Sequence, residues 1–327
     1  MTEPLWAWIA VIGGLLVVLA IDLWIVDRGE AREFSMRQAG YWVTFYVALA
    51  VAFGMLMWAT TGPGRAGEFF AGYITEYSLS VDNLFIFFII MSRFAVPKAY
   101  QHKVLLVGIL LALVMRGIFI ALGAAALERF SWLFYVFGAF LVYTAINIVR
   151  GHLKGQEEEY NENVVLRWVR RAFPTTEGYV GSKVTVKIDG KRMVTPMLIV
   201  MVAIGSTDLM FALDSIPAIF GLTKDPFIVF TANAFALMGL RQLYFLLGGL
   251  LQRLVYISYG LAFILGFIGV KLVLEALHSS HVSWAPTIPI WVSLSVIGAT
   301  MVITTVASLV KARIDARKGE EPHPEQV

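Results

Sequence analysis

Apolar residues fall into nine long runs, at 5–26, 40–59, 68–91, 103–124, 131–149, 196–219, 226–248, 255–276 and 287–309. Each has about the 20 residues a helix needs to cross the hydrocarbon core of a bilayer. The pattern predicts an all-α polytopic membrane protein with about nine transmembrane helices. One sizeable polar stretch, 150–195, separates spans 1–5 (residues 1–149) from spans 6–9 (residues 196–310). Within it, "QEEEYNENVVLRWVRRAF" predicts a short amphipathic helix. "KVTVKIDGKRMVTP" predicts two strands around Asp189-Gly190, a type I′ hairpin signal. A lone hairpin is marginal in water, so this one is expected to pack on something. The tail, 311–327, ends in "KGEEPHPEQV" and reads as disordered.

Composition agrees with membrane residence. Apolar residues make up 58% of the chain and charged ones 15%, against about 25% in soluble proteins. Too little polar surface is left to cover a water-soluble globule. The absence of cysteine excludes disulfides, thiolate metal sites and iron–sulfur ligation. No Lys or Arg precedes the first apolar run in "MTEPLW", so that run reads as a first span and not as a cleaved signal peptide. Basic residues lie in loops, which argues against nucleic acid as a partner. Placing the N-terminus outside puts 20 Lys and Arg in cytoplasmic segments and 3 in outer ones, with Arg116, Arg241 and Lys271 inside spans. By the positive-inside rule the C-terminus is then cytoplasmic.

The spans carry polar residues in a repeated order. "TEYSLSVDNLFIF" (75–87) aligns with "TDLMFALDSIPAI" (207–219), both reading T-[ED]-x5-D-[NS]-[LI]. "RGIFIALG" (116–123) aligns with "RQLYFLLG" (241–248), and a weaker pair joins 135–143 to 256–264. The unit is three helices: spans 3–5 (68–149) and spans 6–8 (196–276). An odd number of crossings inverts the second unit relative to the first. Such repeats are common in secondary transporters, with the binding site at their interface.

A carboxylate at the centre of a span costs about 2.5–3.5 kcal/mol on the insertion scale. Glu76, Asp82, Asp208 and Asp214 therefore need compensation, and intramembrane acids usually mark ion pathways. Internal pairing with Arg116, Arg241 and Lys271 is the alternative. With Asp22, the acids supply −5 against +3, and a −2 remainder suits one divalent cation. On an ideal helix Glu76 shares a face with Asn83 and Ser80, and Asp82 with Thr75 and Ser78. Asp208 likewise lies with Ser215, and Asp214 with Thr207. The candidate metal ligands are thus Glu76, Asp82, Asn83, Asp208, Asp214 and Ser215. Arg116, Arg241, Lys271 and Asp22 are candidates for ion pairing or coupling. These hard oxygen donors suit magnesium, calcium or manganese. No histidine lies deep in a span, which disfavours a zinc-type site. Met210 offers a soft ligand near Asp208 or simply fills a gap. Pro217, with Gly205 and Ser206, is a candidate for loosening the helix at the site.

"EYSLSVDNLFIF", "DGKRMVTP" and "FALDSIPAIFGLTKDPFIVFTANAFALMGLRQLYFLLGG" closely resemble the TerC/Alx family of bacterial inner-membrane proteins, over roughly residues 5–310. The resemblance implies membership of the LysE-type transporter superfamily, with links to tellurium resistance and manganese(II) export. Many members carry an acid where this chain has Gly205. The expected function is proton-coupled export of divalent cations, Mn²⁺ foremost, from the cytoplasm of a bacterium, with the metal as substrate and no organic cofactor. Calcium or tellurium-oxyanion efflux, and a non-transporting scaffold that loads metal onto secreted enzymes, remain open. The chain is not expected to be an enzyme: it lacks P-loop spacing, and its "GSTD" departs from the GxGD motif of intramembrane aspartyl proteases. Metal ion, protons and lipid are the expected partners, with 150–195 a candidate regulator site and the oligomeric state open.

Overall fold

The structure is a computed structural model that describes residues 4–27, 36–130, 132–153, 173–176, 178–188, 191–247, 256–280, 282 and 284–318; the side chains of Asp22, Asp82 and Asp214, among others, lie outside that description. Ten helices and one hairpin are described: α1 (Leu5–Asp27), α2 (Met36–Thr61), α3 (Pro63–Arg93), α4 (Lys98–Arg129), α5 (Leu133–Leu153), β1 (Thr185–Ile188), β2 (Lys191–Val194), α6 (Pro196–Phe220), α7 (Pro226–Met238), α8 (Leu240–Leu247), α9 (Ile257–Ser279) and α10 (Ile290–Lys318). Counting α7 and α8 together, eight are long and apolar enough to cross a membrane, and the part of α1 scored, Leu5–Val18, is shorter. Helices dominate because lipid offers no partner for backbone N–H and C=O groups.

Each predicted span is present, most of them longer at the ends than the apolar runs. Proline at the first helical position starts α3, α6 and α7, where its missing N–H costs nothing. Asp225 caps α7 by accepting from the Phe227 N–H at 2.9 Å. Two expectations change. The span 226–248 is broken at Gly239 into α7 and α8, at the residue type with the weakest helix preference after proline. The tail begins later than 311, because α10 continues to Lys318 and Lys311 sits over the Tyr256 ring at 5.6 Å. Residues 319–327 and the predicted amphipathic helix lie outside the described residues.

The two strands pair as an antiparallel hairpin, with Ile188 opposite Lys191 and Thr185 opposite Val194. It is not isolated. Val194 donates to the Pro174 carbonyl and Thr176 to the Val194 carbonyl, each at 2.9 Å. The Tyr179 hydroxyl donates to the Phe94 carbonyl at the end of α3 (2.8 Å), and Lys103 of α4 donates to Ser182 Oγ (3.0 Å). Val194, Val184 and Tyr179 join the apolar cluster formed by the ends of α3, α4 and α6.

Packing among the two sets of three is reciprocal. α3 lies on α7, α4 on α6, and α5 on α9, while α3 also meets α6. At the α5–α9 crossing, a Cβ on Gly138 would stand 2.8 Å from the Gly269 carbonyl oxygen, and one on Gly269 2.8 Å from the Gly138 carbonyl oxygen. Only glycine lets these backbones touch. α7 is almost wholly buried, and α1, α2 and α8–α10 surround the inner helices. α10 turns Val302, Ile303, Val306 and Val310 outward, as a lipid-facing helix would.

Candidate functional site

α3, α4, α6 and α7 meet around one guanidinium. Arg116 of α4 is 1% exposed. Its Nε donates to Asp208 Oδ2 at 3.2 Å and its Nη2 to Asp208 Oδ1 at 3.1 Å, a side-on bidentate pair. Its Nη1 donates to Glu76 Oε1, to Asn233 Oδ1 at 2.9 Å and to Ser215 Oγ at 3.3 Å. One cation is thus ringed by five oxygens from three other helices. Two carboxylates against one guanidinium leave these described groups at −1.

Local sequence explains the convergence. Gly108 and Gly205 let α4 and α6 approach closely: a Cβ on Gly108 would meet Ile204 Cγ2 at 2.7 Å, and one on Gly205 would meet Leu111 Cδ2 at 2.4 Å. Arg116 lies two helical turns beyond Gly108 on α4, at the level of Asp208. The space beside Gly205 is taken by Leu111. α6 runs unbroken through Gly205, Ser206 and Pro217. Ser206 bonds back to the Val202 carbonyl at 2.6 Å. The loosening expected there is found instead at Gly239. Proline still removes the N–H that would serve the Leu213 carbonyl.

Of the sequence candidates, Glu76, Asp208 and Ser215 converge on Arg116, and Asn83 is buried on α3. Thr75, Ser78 and Ser80 are buried with them, and Thr75 Oγ1, Ser80 Oγ and Glu76 Oε2 have no hydrogen-bond partner among the described residues. The carboxyl groups of Asp22, Asp82 and Asp214 lie outside the described residues. Met210 is 57% exposed and faces away from the cluster, as a lipid-facing residue and not a ligand. Arg241 is buried at the start of α8; the Gln242 amide, in its satisfied orientation, accepts from Arg241 Nη2 at 2.8 Å.

Lys271 belongs elsewhere. It is buried near Glu68 and Glu275, where Thr223 donates to Glu68 Oε2 at 2.5 Å, Arg65 pairs with Asp225, and Lys224 pairs with Glu275 at 2.8 Å. This second cluster ties the start of α3 to the α6–α7 turn and α9, about 12 Å along α3 from Glu76. Among the described residues no three His, Asp or Glu converge as a ready metal centre.

Sequence reasoning missed Asn233, which is 1% exposed and whose Nδ2 has no partner among the described residues. Its signal was an amide inside "FIVFTANAFALM", since a polar group within a span is costly there too. It also missed Glu68, Thr223 and Asp225, which lie at span ends where polar residues are ordinary.

Residues 61–316, covering all of the helices that build this cluster, match the model of the integral membrane protein TerC family. The chain belongs to the TerC family. A Mycobacterium tuberculosis relative, an uncharacterized membrane protein, is 46% identical over 313 residues, 91% of this chain and 79% of that one. A Myxococcus xanthus membrane protein, also uncharacterized, is 40% identical over 306 residues, 94% and 92% of the two chains. An Escherichia coli K12 relative, Alx, named as a candidate membrane-bound redox modulator, is 37% identical over 328 residues, 97% and 98% of the two. No solved structure matches the chain.

Proposed function

We propose that this TerC-family protein is a secondary transporter that exports divalent metal cations, Mn²⁺ foremost, in exchange for protons. The observation that carries the reading is the buried ring of five oxygens from Glu76, Asp208, Ser215 and Asn233, drawn from both three-helix units. Carboxylate, amide and hydroxyl oxygens are the donors that hard divalent cations take. The reciprocal packing of α3 on α7, α4 on α6 and α5 on α9 supports two inverted units with the site between them. The Lys and Arg bias supports an N-terminus outside and a hairpin on the cytoplasmic face.

Export of a divalent ion against 100 mV, inside negative, costs about 4.6 kcal/mol, twice the value per charge. A passive pore would run inward, so coupling is needed, and a carboxylate shared between proton and metal supplies it. A tellurium oxyanion fits less well, because carboxylates already surround the guanidinium that would hold it. Redox modulation, the role in the Alx name, has no thiol to work with in these 327 residues.

The test is flux in proteoliposomes under an imposed pH gradient, with Mn²⁺, Ca²⁺ and Mg²⁺ compared. Uphill Mn²⁺ efflux is expected, stopping when the gradient collapses and lost in Asp82→Asn and Asp214→Asn proteins that still reach the membrane. No metal flux from the wild-type protein favours the scaffold reading. Faster Ca²⁺ than Mn²⁺ flux replaces the cargo.

A further inference from the structure

The five oxygens around Arg116 form a cation cage whose occupant belongs to the protein itself. Three of the four contributing residues, Glu76, Asp208 and Ser215, are the ones whose types and repeat positions suit a metal. The fourth, Asn233, adds an amide oxygen from the buried helix α7. An oxygen that accepts from a guanidinium N–H cannot at the same time turn that lone pair to a metal ion at the 2.0–2.6 Å of hard-cation coordination. A guanidinium at the centre of the ring also fills the space and supplies the positive charge that an ion would bring there, so guanidinium and metal compete for it.

The cage is also imperfectly filled. Glu76 Oε2 and Asn233 Nδ2 are buried and have no partner among the described residues. Buried polar atoms left unpaired raise the energy of the state that contains them. Glu76 thus holds a second oxygen in reserve, which would make it bidentate to an ion.

We propose that the Arg116 guanidinium is a tethered occupant of the cargo site, displaced when a metal ion binds and returning to neutralise Glu76 and Asp208 when the ion leaves. The idea rests on the metal-export reading. It assigns Asn233 as a ligand and gives Arg116 a role that a static strut lacks. An arginine remains charged at any physiological pH. The metal-free carrier then reorients with its acids paired and without needing both protonated. The occupant also sets selectivity, because an ion binds only where its gain exceeds that of the five hydrogen bonds it replaces.

The test compares the wild-type full-length protein with Arg116→Gln and Arg116→Lys, using Mn²⁺ as the probe. Removing the occupant is expected to tighten Mn²⁺ binding by Arg116→Gln at least tenfold by calorimetry. Arg116→Lys, which keeps a tethered cation, is expected within about threefold of wild type. Added guanidinium chloride, against NaCl as the ionic-strength control, is expected to raise the apparent Kd of Arg116→Gln but not of wild type. In proteoliposomes, Arg116→Gln is expected to keep Mn²⁺/Mn²⁺ exchange and to lose net efflux at least tenfold. Should that variant fail to fold, phenylglyoxal modification of wild-type Arg116, mapped by mass spectrometry, is expected to increase at saturating Mn²⁺. Equal or weaker Mn²⁺ affinity in Arg116→Gln with no guanidinium competition, or modification indifferent to Mn²⁺, overturns the proposal and makes Arg116 a strut. Wild-type flux alongside such a result leaves the export reading standing. Neither binding nor flux from the wild type overturns both.

Discussion

At the residue scale, Arg116 decides how the acids are tolerated. Among the described residues Glu76 and Asp208 are almost fully buried, and both pair with the same guanidinium. A charge-assisted hydrogen bond to a buried group typically contributes about 1.5–3 kcal/mol, and Arg116 keeps Glu76 as a partner when Asp208 is neutralised. Asp208→Asn keeps the shape but removes the bidentate anion. A loss of that order is expected, read as a lowered thermal midpoint of the purified protein in detergent. Asn233→Leu keeps the γ-branched shape and removes a neutral amide whose oxygen accepts from Arg116, so the lost hydrogen bond is expected to cost less, about 0.5–1.5 kcal/mol. Mn²⁺ efflux should nevertheless fall at least tenfold in both variants if both residues ligate the ion. The acids and Ser215 were legible in the sequence because charge is rare inside lipid and the motif occurs twice. Asn233 was not: the position that matches it when Arg116 is laid over Arg241 is Gly108, so self-comparison of the chain passes over it. Partner choice was legible only in part, since a sequence shows that Lys271 is buried in a span but not that Glu68 and Glu275 claim it.

Helices were the most legible level. Apolar length sets them, and lipid leaves the backbone little alternative. Glycine was harder to read, because it serves different purposes that look alike in sequence. At Gly239 it ends a helix. At Gly205 it makes room for a leucine side chain, and at Gly138 for another backbone. These uses separate by substitution. In Gly205→Ala the new methyl meets Leu111 Cδ2, the far end of a side chain that can change rotamer. In Gly138→Ala it meets the Gly269 carbonyl and the Val273 N–H, which cannot move without separating α5 from α9. Gly138→Ala is expected to cost about 1–3 kcal/mol through overpacking and Gly205→Ala less than about 1 kcal/mol. Thermal midpoints measured side by side check the order, and equal losses would mean that α5 and α9 do not cross at these glycines.

For the whole molecule, the orientation proposed from loop charge is open to test, and the sequence offers a clean way to check it. The chain has no cysteine, so a single introduced thiol reports one position without background. Lys187→Cys lies on the exposed hairpin and Phe130→Cys on the α4–α5 turn at the other face. A membrane-impermeant maleimide applied to intact cells is expected to label Phe130→Cys at once and Lys187→Cys only after permeabilisation. The reverse pattern would invert the proposed direction of export. How the three-helix sets face each other was only indirectly legible: the odd helix count implies inversion, but the seating of α3 on α7 and α4 on α6 comes from side-chain fit.

The hairpin has a mechanical consequence. β2 runs straight into α6, while Tyr179 and Ser182 are tied to α3 and α4, so the first and second sets of helices are stitched together at one face. A pair of levers fastened at one end diverges most at the other. That free end is where Arg65, Glu68, Thr223 and Asp225 now clasp α3 to the α6–α7 turn. The stitched face would act as the spine of a book, and the clasped face is where its pages part.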